Sequence, residues 1–295
     1  MQTKSFKARF REYLPGYLFL LPAMIFFVGF VLYPVVNAVI ISLYKMTYNK
    51  KAFTGFQNYI SLFTNASFMK SMLNTVLLVA VTVPMVLVFS FLVALVVYKS
   101  NTFVRSYIRA AFYLPAVSSI VTIGLVWKWL YNPNFGILNY ILSIFGIEGV
   151  NWLGNSKYAL WALAIVLFTL SVGQPIILYI ASMGSIPSTY SEAAEIDGAS
   201  EWVKVRKIIW HLIKPTSLYI IIITTINSFQ TFAIVQLLTG GGPFYRTSTI
   251  VFQLYKTAFE FGEYGMATAM GIILSVIVII ISVFQYKFLS SDVEY

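Results

Sequence analysis

The sequence predicts an all-α, polytopic membrane protein with six spans, and three observations carry that reading. Hydrophobic residues make up 59% of the 295 positions and charged residues only 10%, and mean hydropathy is +0.81, whereas soluble domains are roughly 25% charged. Charge-free runs of at least about 20 residues, the number a helix needs to cross the hydrocarbon core, recur along the chain. None alternates apolar and polar residues with period two, which excludes a closed membrane barrel.

Taken in order, the first run extends from Leu14 to Tyr44, after an N-terminal segment over 1–13. The second covers Ser71 to Tyr98, the third Ala110 to about Tyr131 with Lys128 near its far end, and the fourth Tyr158 to about Met183. A fifth covers about Thr216 to Leu238 and a sixth Tyr264 to Tyr286, so the membrane domain is expected over 14–290. Pro22, Pro34, Pro84, Pro115 and Pro175 fall inside these runs and predict tilted, kinked or broken helices. Lys4, Lys7, Arg9 and Arg11 precede the first run as they would in a signal peptide. The run is too long for a signal h-region, however, and no small-residue cleavage site follows it.

Lys and Arg in short loops set orientation. With a cytoplasmic N-terminus, the inside segments are the N-terminal tail, Lys99 to Arg109, the loop before Pro215 and the C-terminal tail. They hold twelve of the twenty basic residues against about seven outside. Both termini are therefore expected on the cytoplasmic side of the membrane. Anionic lipid of the inner leaflet accounts for the net charge of +10 without a nucleic-acid partner.

Several functions are excluded by what is absent. All ten Asp and Glu residues lie outside the expected spans, whereas H⁺- and Na⁺-coupled transporters usually place carboxylates within the membrane. An ion-coupled secondary transporter stays open as an alternative, because backbone carbonyls alone bind Na⁺. His211 is the one histidine and there is no cysteine, which leaves no metal site, no disulfide and no cofactor to expect. The pair Gly-Lys never occurs, so the chain has no P-loop for ATP.

The longest inside connection covers 185–214 and predicts two short helices. Thr189 with Glu192 three residues on forms a candidate capping box after Pro187, with acidic residues near a helix N-terminus. Ala193 and Ala194 permit close approach of another surface, and Gly198 is placed to end the helix in the left-handed conformation. Beyond it, Trp202, Val203, Val205, Ile208, Ile209 and Leu212 interleave with Lys204, Arg206, Lys207 and Lys214. That pattern predicts an interfacial helix whose bases reach lipid phosphates.

The run E-A-A-E-I-D-G-A from Glu192, followed by I-x-x-x-L-I-K-P, resembles the EAA loop of ATP-binding-cassette (ABC) importer permeases. NTVLLV at Asn74, WKWLYNPNFGILN over Trp127 to Asn139, LLTGGGP over Leu237 to Pro243 and YGMATAMG before the sixth run agree with the carbohydrate branch of that family. The resemblance covers nearly the whole chain, extending to the maltose-transport F and glycerol-phosphate A subunits. It implies the type I importer permease fold, in a subunit that is not itself an enzyme. The implied partners are a second homologous permease, two ATPase subunits and an extracytoplasmic substrate-binding protein. It also implies that Glu192, Ala193, Ala194, Asp197 and Gly198 couple the chain to the ATPase. No large extracellular domain interrupts the chain, unlike the maltose-type F subunit of enteric bacteria.

A path for a sugar needs hydrogen-bonding groups set against aromatic or apolar walls. Thr224, Asn227, Ser228 and Thr231 recur at helical spacing as one polar stripe in the fifth run. They read either as substrate contacts or as hydrogen-bonding glue between helices. Gly173 and Gln174, with Pro175, interrupt the fourth run near mid-depth and are the other path candidates, since a break frees backbone groups toward a cavity. Loops over Asn132 to Asn155 and Thr239 to Glu263 are expected to face the binding protein. The expected solute is a di- or oligosaccharide, with a glycerol phosphate or polyol as the alternative. A phosphate would want a base at the cavity, and Lys128 between Trp127 and Trp129 reads as an interface anchor instead.

Overall fold

A computed structural model of the chain describes residues 6–48 and 50–289. Lys4, Asp292 and Glu294, which entered the charge reading above, lie outside the described residues. The first apolar run is helix α1 (Phe6–Phe27), a π-helical turn at Val28–Leu32, and α2 (Tyr33–Ser42). Pro34 has no N–H to donate back to the preceding turn, and the wide turn sits where that bond is missing. A hairpin not foreseen in the all-α reading follows, β1 (Tyr44–Met46) antiparallel to β2 (Lys51–Phe53), with Lys45 opposite Ala52.

Next come α3 (Gln57–Thr64) and the 32-residue α4 (Ala66–Val97). Asn65 starts α4 by accepting from the amides of Ser67 at 3.0 Å and Phe68 at 3.1 Å, which satisfies two donors that a helix start leaves orphaned. The third run does not form one rod. It covers the second half of α5 (Thr102–Val117), which starts before the run, and α6 (Ile120–Leu130), and the two helices meet at 99°. Pro115 weakens the end of α5, Ser118 and Ser119 are extended, and the Ser119 hydroxyl caps α6.

Helix α7 (Ile137–Ile144) lies in the following loop, and α8 (Ala159–Ser171) and α9 (Gly173–Gly184) meet at 43° around the Gly173–Pro175 break. The long connection forms α10 (Ser188–Ile196), then α11 (Glu201–Lys204), a π-helical turn at Val205–Ile209 and α12 (Trp210–Leu212). It turns by 65° into α13 (Lys214–Phe229). The expected fifth span stops at Phe229, and the chain resumes as α14 (Ala233–Leu238). Helix α15 (Ile250–Tyr255) lies within the loop expected to be external, and α16 (Tyr264–Leu289) is the last described element. Three helices are individually long and apolar enough to cross a membrane, and counting each bent pair once gives up to six spans.

Helix α4 is the axis of the bundle, packed by α8, α9, α13 and α15. Its buried face runs Ser71, Thr75, Leu78, Thr82, Val86, Ser90, Ala94, a stripe of mainly small residues at helical spacing. Water supplies little drive for helix association inside lipid, so close backbone approach and interhelical hydrogen bonds carry the packing. Tyr131 Oη donates to the Ala162 carbonyl at 2.9 Å, and Gln285 Nε2 donates to Thr225 Oγ1 at 2.9 Å. Gly265 seats the hairpin on α16, since a Cβ there would overlap the Tyr44 carbonyl oxygen.

Candidate functional site

Helix α10 is nine residues long and begins at Ser188, with Pro187 at the N-cap and no side-chain cap. The Thr189–Glu192 capping box is thus not formed: helical geometry already includes Thr189, one residue inside the start. The other end follows the sequence closely. Gly198 has φ +73°. The Ala199 amide donates to Ala194 O at 2.9 Å and the Gly198 amide to Glu195 O at 3.0 Å, the paired bonds of a Schellman stop. Glu192, Ala193 and Ile196 on this helix and Asp197 at its C-cap are all exposed. Ala194 is 8% exposed and so covered by the chain itself. The close approach its small side chain permits is therefore internal.

Four charges surround the stop. Lys204, only 5% exposed, donates to Glu195 at 2.9 Å and pairs with Glu201. Glu201 in turn accepts from Lys99 at 2.8 Å, just past the end of α4. The Lys204 ammonium and then Lys99 hold the Glu201 carboxyl down to about 2. The bond to Glu201 and then that to Glu195 push the Lys204 pKa above its ordinary value. Among the described residues neither Glu192 nor Asp197 has an ion-pair partner, so both carboxylates are presented to whatever meets this face.

The base of the connection is closed by two side-chain bonds between α9 and α13. Tyr179 Oη lies 2.9 Å from Ser217 Oγ, and Thr216 Oγ1 lies 3.0 Å from Ser182 Oγ. The same two helices, with the ends of α5 and α8, wall a cavity of about 250 Å³. Its polar lining is Tyr113, Ser171, Gln174, Tyr219, Thr224 and Asn227, and among the described residues no charged side chain lines it. The lining combines amides and hydroxyls that can hydrogen-bond a polar solute with phenols that can cover a flat apolar face.

The structure therefore divides the predicted path residues. Gln174, Thr224 and Asn227 share the cavity. Ser228 and Thr231 are buried at 4% and 6%. Thr231 lies beyond the end of α13, where its Oγ1 donates to Ser228 O at 2.8 Å and its carbonyl accepts from Thr249 at 2.7 Å. Gly173 is a packing contact, because a Cβ there would overlap the Phe112 carbonyl oxygen of α5. Sequence reading missed Tyr113, Ser171 and Tyr219, each of which looks like ordinary span composition until the bends bring three segments to one place.

Bent apolar spans around a polar cavity are the architecture of a multi-pass membrane permease, and the comparison with known families agrees. The chain belongs to the family described as binding-protein-dependent transport system inner membrane component, whose profile matches residues 59–293. It is 32% identical over 284 residues to the trehalose/maltose transport system permease protein MalF of Thermococcus litoralis, covering 95% of each chain. To a probable ABC transporter permease protein, YurN of Bacillus subtilis, it is 32% identical over 285 residues, covering 94% of this chain and 97% of that one. A crystal structure of a bacterial alginate ABC transporter, in complex with alginate pentasaccharide-bound periplasmic protein, matches with a TM-score of 0.79 at 22% identity over 96% of both chains. At that identity the likeness is one of fold, the type I importer permease fold. Membership makes this chain a membrane subunit without ATPase activity of its own; ATP hydrolysis belongs to a separate subunit.

Proposed function

We propose that this chain forms, with a second homologous permease subunit, the path by which a neutral di- or oligosaccharide enters the cell. Two ABC ATPase subunits supply the work and an extracytoplasmic binding protein delivers the sugar. The observation that carries the substrate class is the uncharged cavity, with Gln174, Thr224 and Asn227 facing Tyr113 and Tyr219. Curated relatives support it by their names: one is a trehalose/maltose permease, another a probable permease for starch degradation products from Thermoanaerobacterium thermosulfurigenes, 30% identical over 270 residues. A relative from Agrobacterium fabrum, 29% identical over 288 residues, is named for sn-glycerol-3-phosphate. A phosphate carried through this cavity would find no basic side chain among its lining residues.

In this reading the excess of Lys and Arg places both termini and the 185–214 connection on the cytoplasmic side. Helix α10 docks in the ATPase, with Glu192 and Asp197 meeting basic groups and Ile196, 87% exposed, filling an apolar contact. Helices α9 and α13 flank the connection in sequence and both line the cavity. Displacement of α10 on ATP binding is thus delivered to two walls at once. Alternating access needs such a two-state element biased by nucleotide.

The test is uptake and ATP hydrolysis by the four-subunit complex in liposomes, with binding protein and a panel of neutral sugars, glycerol phosphate and peptides. A neutral sugar is expected to stimulate hydrolysis and to accumulate. Stimulation by the phosphate ester or a peptide alone would overturn the assignment.

A further inference from the structure

Lys204 spans the left-handed turn at Gly198. The Gly198 and Ala199 amides fix that turn through Glu195 O and Ala194 O, but beyond it the chain is extended at Ser200, with φ −67° and ψ 159°, so backbone connection alone leaves α10 free to swing relative to α11. Glu195 lies on one side of that turn and Lys204 on the other, joined at 2.9 Å. The lysine is 5% exposed, while Glu195 and Glu201 are 64% and 66% exposed. Burial thus constrains the cation alone, and an ammonium withdrawn from water is held in place by its carboxylates. Glu201 extends the chain of contacts to Lys99, immediately beyond α4. One buried cation therefore ties together the projecting helix, the helix after it and the end of the central span.

We propose that Lys204 is a positioning residue for energy coupling: it locks α10 to α11 and, through Glu201 and Lys99, to α4, so that a stroke applied to α10 moves the central span. This rests on the reading of α10 as the ATPase-docking helix. Without the lock the stroke is absorbed in the extended link between α10 and α11. The lock is permanently charged at working pH, since Glu201 is held low and Lys204 high by one another.

The experiment uses the full complex in liposomes and reads substrate accumulated per ATP hydrolysed, with ATPase co-purification as the control for docking. Lys204→Met is expected to keep the ATPase bound and hydrolysing while uptake per ATP falls by about 5-fold or more, the lower range of measured coupling between sites. Lys204→Arg, which keeps a cation, restores most of it. Glu195→Gln gives a smaller fall alone and adds nothing in the Lys204→Met background. An unchanged ratio in Lys204→Met with the ATPase still bound overturns the lock and leaves the docking reading standing, as do multiplicative effects of the two substitutions. Should Lys204→Met not assemble, Glu195→Gln decides, because it alters an exposed carboxylate and leaves the lysine paired to Glu201; an unchanged ratio there overturns the proposal. Failure of the unsubstituted chain to retain its ATPase would overturn the docking reading and this one with it.

Discussion

Asn74 on the central helix holds Ser248 in a distant loop: its Nδ2 donates to the Ser248 carbonyl at 2.9 Å and to that of Tyr245 at 2.8 Å. Ser71 Oγ donates to Ser248 Oγ at 2.8 Å, and the Ile250 amide donates to Thr75 Oγ1 at 3.0 Å. The motif at Asn74 and the loop after LLTGGGP are thus two halves of one polar joint. Asn74→Ala removes the donor from the Ser248 carbonyl and leaves Tyr245 O only the Ser248 amide at 3.4 Å, and the expected loss is about 1–3 kcal/mol. Thermal unfolding in detergent measures it, and Asn74→Asp, which sets a buried carboxyl group against two carbonyl oxygens, should lose more.

Two glycines of one helix are expected to respond oppositely to alanine. Gly173→Ala drives a methyl into the Phe112 carbonyl and should cost about 1–3 kcal/mol as overpacking. Gly184→Ala meets nothing within 4 Å and should gain about 0.4–1 kcal/mol through the unfolded chain. Equal stability of the two variants would show that the α5–α9 contact is looser than described.

At Gly198 the constraint is conformational, because φ is +73° while a Cβ added there would meet nothing within 4 Å. Gly198→Ala should cost about 1–2 kcal/mol, and Gly198→Asn less, since Asn enters the left-handed region more readily. Reduced ATPase retention in the order Ala before Asn is the expected result, measured by co-purification.

The cavity sorts the polar residues predicted for the path. Gln174→Ala and Asn227→Ala should each weaken apparent sugar affinity by about 3- to 10-fold, the equivalent of one neutral hydrogen bond. Ser228→Ala and Thr231→Ala should change stability and leave affinity alone, as buried groups off the cavity wall. Concentration dependence of uptake separates the two pairs.

Glu201 makes the junction insensitive to pH over the working range. A carboxyl lowered from 4.5 to about 2 contributes stability that is complete above 4.5 and is lost as pH falls through about 2. Hydrogen exchange over 195–204, corrected for its intrinsic pH dependence, should give equal protection at about pH 6 and about pH 8. Salt should weaken the exposed Lys99–Glu201 pair more than the buried Lys204 contacts.

Much of this was legible in the sequence because lipid imposes simple rules. Long apolar runs announced the spans, and Gly198 announced the stop of α10, since each depends on local chain chemistry alone. Pro115 announced a break in the third run but not its 99° size, and the early end of α13 at Phe229 was not legible because the polar stripe keeps its helical spacing through Thr231. Three-dimensional placement set the rest. Ala193 and Ala194 are alike in sequence, yet one faces out and the other in. Thr231 continued the helical spacing of the stripe after the helix itself had ended. Lys204 looked like a base for lipid phosphate, and only the fold brings Glu195 and Glu201 to it.

The central claim is that work from an ATPase enters through the outer face of α10, and a single-cysteine cross-link tests it most directly. The chain has no cysteine of its own, so a photoreactive maleimide placed through Ile196→Cys reports one position. The account predicts efficient cross-linking of that position to the ATPase subunit in the assembled complex, and little from Ala194→Cys on the inward face. Absence of any ATPase adduct from position 196 in a complex that still hydrolyses ATP and imports sugar would contradict it.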